Sequence, residues 1–348
     1  MEEPVRMPKS LYALKPNELL GALRLEKSYQ GKQVYKWLTQ GVTTFDDMTN
    51  LSLTLRERLN NDMGSPLSSK IIETQTDESG ATKIALQLHD NLVIEAVLLT
   101  DKEGRSTACL SSQVGCAMGC TFCRTATMGL ERNLKAFEIV EQFVHLRHID
   151  PTVGNIVFMG MGEPMANVSS VLKAISFLHD PKGFDISHRK ITISTCGVVP
   201  GILQLTVEKV PVGLAVSLVS ADNTLRNHLM PINKAYPLEH LKEALIEYQN
   251  STQKRVTLEY VMLKGENIAE KDAKKLATFV RGLDVVVNLI PWNPASELDY
   301  QTPTTKEIHH FTRLLDSLGV PYTRRFARGR GISGACGQLA TKHLQAKE

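Results

Sequence analysis

The chain contains no run of about 18 consecutive apolar residues, so no membrane-spanning helix is expected. Its opening stretch, "MEEPVRMPKSLYALKPNELL", lacks the apolar centre of a secretion signal. There is no internal repeat and no low-complexity tract. The formal net charge is only +3, a mild basic excess that does not by itself point to a polyanionic partner. Cysteine is sparse, six in 348 residues. A chain of this kind is expected in the cytoplasm, where thiols stay reduced. The six cysteines are therefore expected to bind metal or take part in chemistry rather than pair as structural disulfides. What remains is a globular composition, 42% hydrophobic and 22% charged, long enough for one large domain or two to three smaller ones.

The pattern changes along the chain. Residues 1–66 carry helical spacing, as in "GKQVYKWLTQG" with its Gly41 stop and in "TLRERLNNDM". Residues 67–101 switch to strand-like runs, "SKIIETQT", "TKIALQLH" and "NLVIEAVLLT", separated by the turn signals "DESG" and "HDN". A small antiparallel sheet is expected there. From 102 to 331, strands such as "STACLSS", "GNIVFMG", "RKITIST" and "RVTLEYVM" alternate with helical stretches near 136–148, 167–178, 238–249, 270–281 and 305–318. This is an α/β pattern, with a parallel sheet covered by helices, either an incomplete barrel or a doubly wound sheet. Residues 332–348 form a separate C-terminal segment. The glycine- and proline-rich stretches "GMGEP", "STCG" and "PWNP" all follow strands, at the end where parallel α/β folds place their active sites.

One loop stands out. "GCAMGCTFCRT" places Cys116, Cys120 and Cys123 within eight residues, spaced Cys-x3-Cys-x2-Cys. A closed zinc site wants four ligands, commonly two Cys-x2-Cys pairs, and no second pair follows. Ferredoxin-type sites also want a fourth cysteine. Three thiolates can hold three irons of a [4Fe–4S] cube and leave the fourth iron open to a small molecule. Cys109 stands apart from the loop and is not read as a fourth ligand. Cys196, at a strand end, is read as a small packed residue. "RRFARGR", residues 324–330, brings four arginines just ahead of Cys336, and guanidinium forks suit phosphates. Lys32 and Lys36 share one helix face and are candidates for further phosphate contacts. His309 and His310 are read as a solvated face.

The cysteine loop, with Phe122 before its last cysteine, resembles the radical-SAM signature. Together with "CLSSQVGCAMGCTFC", "FMGMGEPMAN", "STCGVVP", "LMPIN", "VTLEYVML", "NLIPWNP" and "ACGQL", nearly the whole chain resembles the RlmN/Cfr family of radical-SAM RNA adenine methyltransferases. The resemblance implies a partial (β/α)6 barrel with an N-terminal helical accessory domain and a small antiparallel β extension. It implies a [4Fe–4S] cluster on Cys116, Cys120 and Cys123, and two S-adenosylmethionine (SAM) molecules per turnover. Gly162, Glu163, Ser194, Ser217, Leu218, Val219 and Asn293 match SAM contacts. Cys336 matches the cysteine that carries a methyl group, Cys109 the thiol that resolves the intermediate through a transient disulfide, and Glu95 a proton acceptor. The implied partners are 23S rRNA, tRNA and a low-potential electron donor such as flavodoxin or ferredoxin, acting on a monomer.

The family route explains the extra cysteines, because an adenine C–H carbon is too poor a nucleophile to attack SAM directly. As the resemblance implies, SAM first methylates Cys336. A 5′-deoxyadenosyl radical from a second SAM then takes hydrogen from that methyl, and the resulting carbon radical adds to the base. Three functions stay open on sequence alone: methylation at adenine C2, the Cfr-like reaction at C8, and an iron–sulfur RNA-binding or redox-sensing protein. "PWNP" and "CLSSQVGC" favour C2, and the pair Cys109 and Cys336 disfavours the sensor. The sequence departs from the family at Val219, usually histidine, in "RGRGISGACGQL", which lacks the usual acidic residues, and in "FCRTATMGL".

Overall fold

A computed structural model describes residues 8–295, 297–325 and 328–340. Phe326 and Ala327 of the arginine-rich stretch, and the end of the 332–348 segment, lie outside the described residues. Among the described residues, no helix is long and apolar enough to cross a membrane.

Three helices come first: α1 (Pro16–Ala22), α2 (Ser28–Leu38) and α3 (Leu53–Met63). The short α1 was not anticipated from periodicity. Pro16 opens it, and the Glu18 carboxylate accepts the Lys15 N–H at 2.7 Å, a local cap that does not depend on apolar spacing. α2 buries Val34, Tyr35 and Leu38 and leaves Lys32 and Lys36 exposed. Ser52 caps α3 by accepting the Leu55 N–H at 3.3 Å, and Gly64 ends it at φ +73. This N-terminal region docks against α5 (Ala136–Ile149) and α6 (Val168–His179), two of the helices that cover the sheet. Tyr12 and Tyr35 meet Phe177 edge-on, and the Tyr35 hydroxyl donates to Asp180 at 2.6 Å. A second tie lies nearby: Glu141 accepts the Ser68 and Ser69 N–H groups at 2.8 and 2.9 Å.

Strands β1 (Lys70–Thr76), β2 (Thr82–Gln87) and β3 (Val93–Thr100) are antiparallel, as their alternation predicts. They do not form a separate sheet. β3 pairs antiparallel with β4 (Ser106–Cys109), the first strand of the alternating region. The cysteine loop follows, enclosed by a small hairpin of β5 (Gln113–Gly115) and β6 (Leu130–Asn133), with the single-turn α4 (Arg124–Thr127) between them. Then come α5 (Ala136–Ile149), β7 (Asn155–Phe158), α6 (Val168–His179), β8 (Ile191–Thr195), α7 (Val199–Glu208) and β9 (Gly213–Ser217). α8 (Asn223–Leu229), α9 (Leu238–Thr252), β10 (Val256–Met262), α10 (Glu270–Val280), β11 (Val285–Pro291), α11 (Thr305–Ser317) and β12 (Tyr322–Arg324) complete the order. The ten-stranded sheet runs β1-β2-β3-β4-β7-β8-β9-β10-β11-β12. From β4 onward all neighbours are parallel, giving six strand–helix units and a final strand, the partial barrel the sequence predicts. Strands such as "ITIST" and "VVVNLI" are rich in β-branched residues because helices cover the sheet. α7 was not anticipated, because the run "GVVPGILQLTVE" reads as a buried strand as easily as a helix.

Gly115 shows how tightly the cysteine loop is closed. It sits at φ +74, and a Cβ there would lie 1.9 Å from the Gly129 carbonyl oxygen. That same oxygen accepts the Cys116 N–H at 2.7 Å. Gly129 also has positive φ, but its Cβ would meet nothing within 4 Å. Gly115→Ala is expected to destabilise the protein by more than about 2 kcal/mol in urea denaturation, and Gly129→Ala by about 1 kcal/mol. Equal effects would show that the close approach at Gly115 is unimportant.

Candidate active site

The β5–β6 hairpin presents Cys116, Cys120 and Cys123 to a cavity at the carboxyl ends of the strands. Burial pushes the Cys116 thiol up to about 12 and the Cys120 and Cys123 thiols upward as well, and neighbouring thiols add to the shift. Left as thiols, these sulfurs resist ionisation, so holding them as thiolates calls for a cation. Among the described residues, no three His, Cys, Asp or Glu side chains converge on one point as a single ion requires. A cubane makes a different demand, since each cysteine takes its own iron. Three thiols on one loop, facing a cavity with further space beyond them, fit that group.

The rest of the wall comes from strand ends. Gly162, Glu163, Ser194, Ser217 and Asn293 all line this cavity. Gly162 sits at φ +94, where a Cβ would fall 2.5 Å from the Gln113 side chain. Glu163 is buried, and its oxygens accept the Met165 N–H at 2.9 Å and the Cys196 N–H at 2.8 Å. Burial raises its pKa, and those two amides oppose the shift. Leu218 and Val219 lie elsewhere. Both are fully buried and neither lines the cavity. The Val219 side chain packs with Phe122, Leu229 and Trp292, and its backbone holds φ +58 with its carbonyl accepting from Asn267 at 2.8 Å. Cys196, read from sequence as a packed residue, is buried and also lines this wall.

Cys336 belongs to this wall and also to a second, larger cavity of about 850 Å³ shared with Cys109, Met159 and Arg325. The C-terminal segment that carries Cys336 is tied down at several points. Asn293 donates to the Cys336 carbonyl at 3.1 Å and accepts from Arg330 at 2.8 Å. The Arg124 N–H donates to the Gly337 carbonyl at 2.8 Å, and Gln338 donates to the Pro294 carbonyl at 2.7 Å. Arg328 donates to the Thr100 carbonyl. Glu95 is not solvent-facing. It is buried, pairs with Lys83 at 3.0 Å and accepts the Ala340 N–H at 3.0 Å, lining neither cavity. Burial raises its pKa, opposed by Lys83.

Of the arginine-rich stretch, Arg324, Arg325 and Arg328 line the larger cavity; Arg324 is exposed at its rim, and the Arg325 charge opposes the burial that pushes the Cys109 thiol up to about 12. All six cysteines are free thiols, so the structure does not support a disulfide between Cys109 and Cys336. His309 and His310 are exposed. Sequence analysis missed Glu259, a buried carboxylate on the first cavity's wall, and Arg226, whose charge reaches Cys120. Arg226 stands three residues before the quoted "LMPIN", and an arginine so close to an apolar motif was the available signal.

A cysteine loop beyond the strands of a partial parallel barrel defines a radical-SAM enzyme. The sequence matches the radical SAM superfamily over residues 110–277 and the ribosomal RNA large subunit methyltransferase N-terminal domain over residues 22–63. A radical SAM methyltransferase from Sphaerobacter thermophilus superposes with a TM-score of 0.90 at 39% identity, covering 95% of this chain and 99% of that one. Relatives named "probable dual-specificity RNA methyltransferase RlmN" include that of Treponema denticola, 46% identical with 95% of each chain covered. That of Treponema pallidum (strain Nichols) is 44% identical, covering 95% of this chain and 97% of the relative. The chain belongs to the RlmN family of radical-SAM methyltransferases.

The buried thiols outside the loop give a pH dependence. Cys109 is pushed up to about 12 and Cys196 is raised well above its usual value, so the folded state favours the protonated forms. The unfolded chain loses these protons near pH 8.5, the folded protein only far higher. Their contribution is therefore fully present below about pH 8.5 and is lost as pH rises toward 12. The urea midpoint of the metal-free protein is expected to fall steadily from pH 8 to pH 10. Replacing both residues by alanine should reduce that slope, the three buried loop thiols supplying the remainder, and an unchanged slope would show that these two thiols do not ionise on unfolding.

Proposed function

We propose that this protein methylates C2 of an adenine in 23S rRNA, and in tRNA, through a methyl group carried on Cys336. The observation that carries the proposal is the position of Cys336. It is the shared wall between the cavity bearing the three-cysteine loop and the cavity bearing Cys109. A group attached to its sulfur can be reached from the SAM side and then meet a base from the other side.

Cys116, Cys120 and Cys123 hold the [4Fe–4S] cluster in this proposal. Gly162, Glu163, Ser194, Ser217 and Asn293 line the space for SAM, while Leu218 and Val219, whose backbone groups bond to Glu259, Arg226 and Asn267, support that wall from behind. The Glu163 carboxylate, already fixed by two amides, suits the SAM ammonium group. Bound there, the cluster supplies the electron that cleaves SAM. Two SAM molecules serve each turnover: the Cys336 thiolate displaces the methyl group of one, and the other accounts for removal of a hydrogen from that methyl. After the carbon joins the base, the base gives up its C2 proton, and one electron returns to the redox partner that supplies it. The Cys109 thiolate then attacks the Cys336 sulfur, forming an S–S bond as the S–C bond breaks; that bond's electron pair stays on the methylene carbon, which takes up a proton to become the product methyl group. External thiols reduce the pair for the next cycle.

Arg325 lies on the cavity shared by the two thiols, where a positive charge favours the thiolate each step needs. Glu95 remains our candidate proton acceptor, with a raised pKa suited to a base. The rim of the larger cavity, with Lys102, Arg105, Arg324 and Arg328, faces the incoming RNA. The target base must leave its stack to enter.

The two cysteines are separated by their place in this sequence. Cys336→Ala should abolish methylation of both protein and RNA. Cys109→Ala should still load Cys336 and add it to the base, then fail to release it, leaving RNA covalently bound in a band that shrinks after ribonuclease treatment. The double variant should show no such band. Normal turnover by Cys109→Ala would overturn the assignment. Mass spectrometry of RNA from cells with and without the gene should find 2-methyladenosine lost with the gene, and loss of 8-methyladenosine instead would replace C2 with C8.

A further inference from the structure

Arg226, on α8, is 0% exposed and is the largest of the fully buried side chains. Its guanidinium spends its donors on neutral acceptors. Nε donates to the Leu218 carbonyl at 3.1 Å and Nη1 to Asn233 Oδ1 at 2.8 Å. Nη2 donates to the Cys196 carbonyl at 2.7 Å and the Ser217 carbonyl at 3.3 Å. Among the described residues, no carboxylate lies within ion-pair distance of it. Burial lowers its pKa only to about 10, so it is charged at neutral pH. A buried charge without an ionic partner is strongly unfavourable. α8 abuts the cysteine loop, since the Thr121 N–H donates to the Leu229 carbonyl at 3.0 Å, and Cys196, whose carbonyl Arg226 holds, lines the same cavity as Cys120. The chain also makes room for this approach. Gly197 sits at φ +103, and a Cβ there would lie 3.1 Å from Nη2.

We propose that Arg226 is the built-in counter-ion of the metallated cysteine loop, a positioning residue whose fixed charge stabilises the thiolate-ligated cluster, and its reduced form most of all. The proposal rests on the cluster assignment for Cys116, Cys120 and Cys123. Reduction takes one electron from a donor and adds one negative charge beside Cys120. A positive charge held in a water-poor interior lowers the free energy of that added charge and raises the midpoint potential. The same guanidinium joins the ends of β8 and β9, so the potential is set by the group that also shapes the wall at Ser217.

The test uses the full chain, reconstituted anaerobically with iron and sulfide, without SAM or RNA. The cluster is titrated with dithionite and mediator dyes and followed by electron paramagnetic resonance. Arg226→Met should lower the ratio of reduced to oxidised cluster at a fixed poise about tenfold, equivalent to about 59 mV for one electron. Arg226→Lys keeps the charge and should stay near the parent value. If Arg226→Met does not fold, Arg226→Gln, neutral and able to hold one carbonyl, must show the same shift. An unchanged midpoint in the neutral variant, or a lysine variant displaced as far as it, would reduce Arg226 to a brace for carbonyls. A parent protein that binds zinc and gives no reducible cluster would overturn the cluster assignment itself, a result distinct from either.

Discussion

Cys336 can face two cavities only because the chain after β12 is held on both sides of an open barrel. A partial barrel leaves a gap between its edges, and here the C-terminal segment spans it. On one side Arg328 and Ala340 bond to Thr100 and Glu95 of β3, and on the other Asn293 and Pro294 hold Cys336 and Gln338. Individually such bonds contribute about 1 kcal/mol, so no one of them fixes the segment. Together they set where one sulfur lies. The antiparallel extension thus has a task beyond edge protection, since it supplies the far anchor.

That anchorage explains what the sequence did and did not disclose. The strand–helix alternation and the cysteine spacing are local patterns, and the parallel sheet and the loop were legible from them, whereas the choice of a partial barrel over a doubly wound sheet came from the family resemblance. The hairpin around the loop was not, because β5 and β6 are three and four residues long and too short for any period. The direction of side chains was hidden for a similar reason. Glu95 alternates along β3 as a solvent-facing residue would, yet a late segment of chain covers it. Arg324 and Arg325 look equivalent in "RRFARGR", but Arg324 ends β12 and is exposed on the rim of the larger cavity, whereas Arg325 follows the strand and is partly buried in it.

Two of the positions at which the sequence departs from the family pattern are held in different ways, Val219 through its backbone and Arg330 through its side chain. At Val219 the left-handed backbone is unusual for a β-branched residue, and it is held by Asn267 through the carbonyl and by Glu259 through the N–H at 3.4 Å. The valine side chain fills an apolar cluster with Trp292 and Phe122. Losing histidine there leaves the backbone path intact. Before Cys336, Arg330 occupies a stretch where the family carries acids, and it is engaged by Asn293 rather than left as an isolated charge.

A common construction underlies the wall. Its backbone is set by buried polar side chains that reach across from neighbouring elements. Gln142 on α5 both accepts the Ser111 N–H at 2.7 Å and donates to the Ser111 carbonyl at 3.0 Å. The Ser111 hydroxyl then accepts the Met161 N–H at 2.8 Å, and Gln113 accepts the Glu163 N–H at 2.8 Å. Asn167 donates to the Ser112 and Leu134 carbonyls, each at 2.8 Å. Removing any one of these leaves a backbone group unpaired in the interior, a cost of about 1–3 kcal/mol concentrated beside the cavity. Substitutions one layer behind the wall therefore disturb its shape although those side chains do not line the cavity. The glutamines and asparagines of that layer, which carry no chemistry of their own, hold the strand ends at which the cysteines and the carboxylate act.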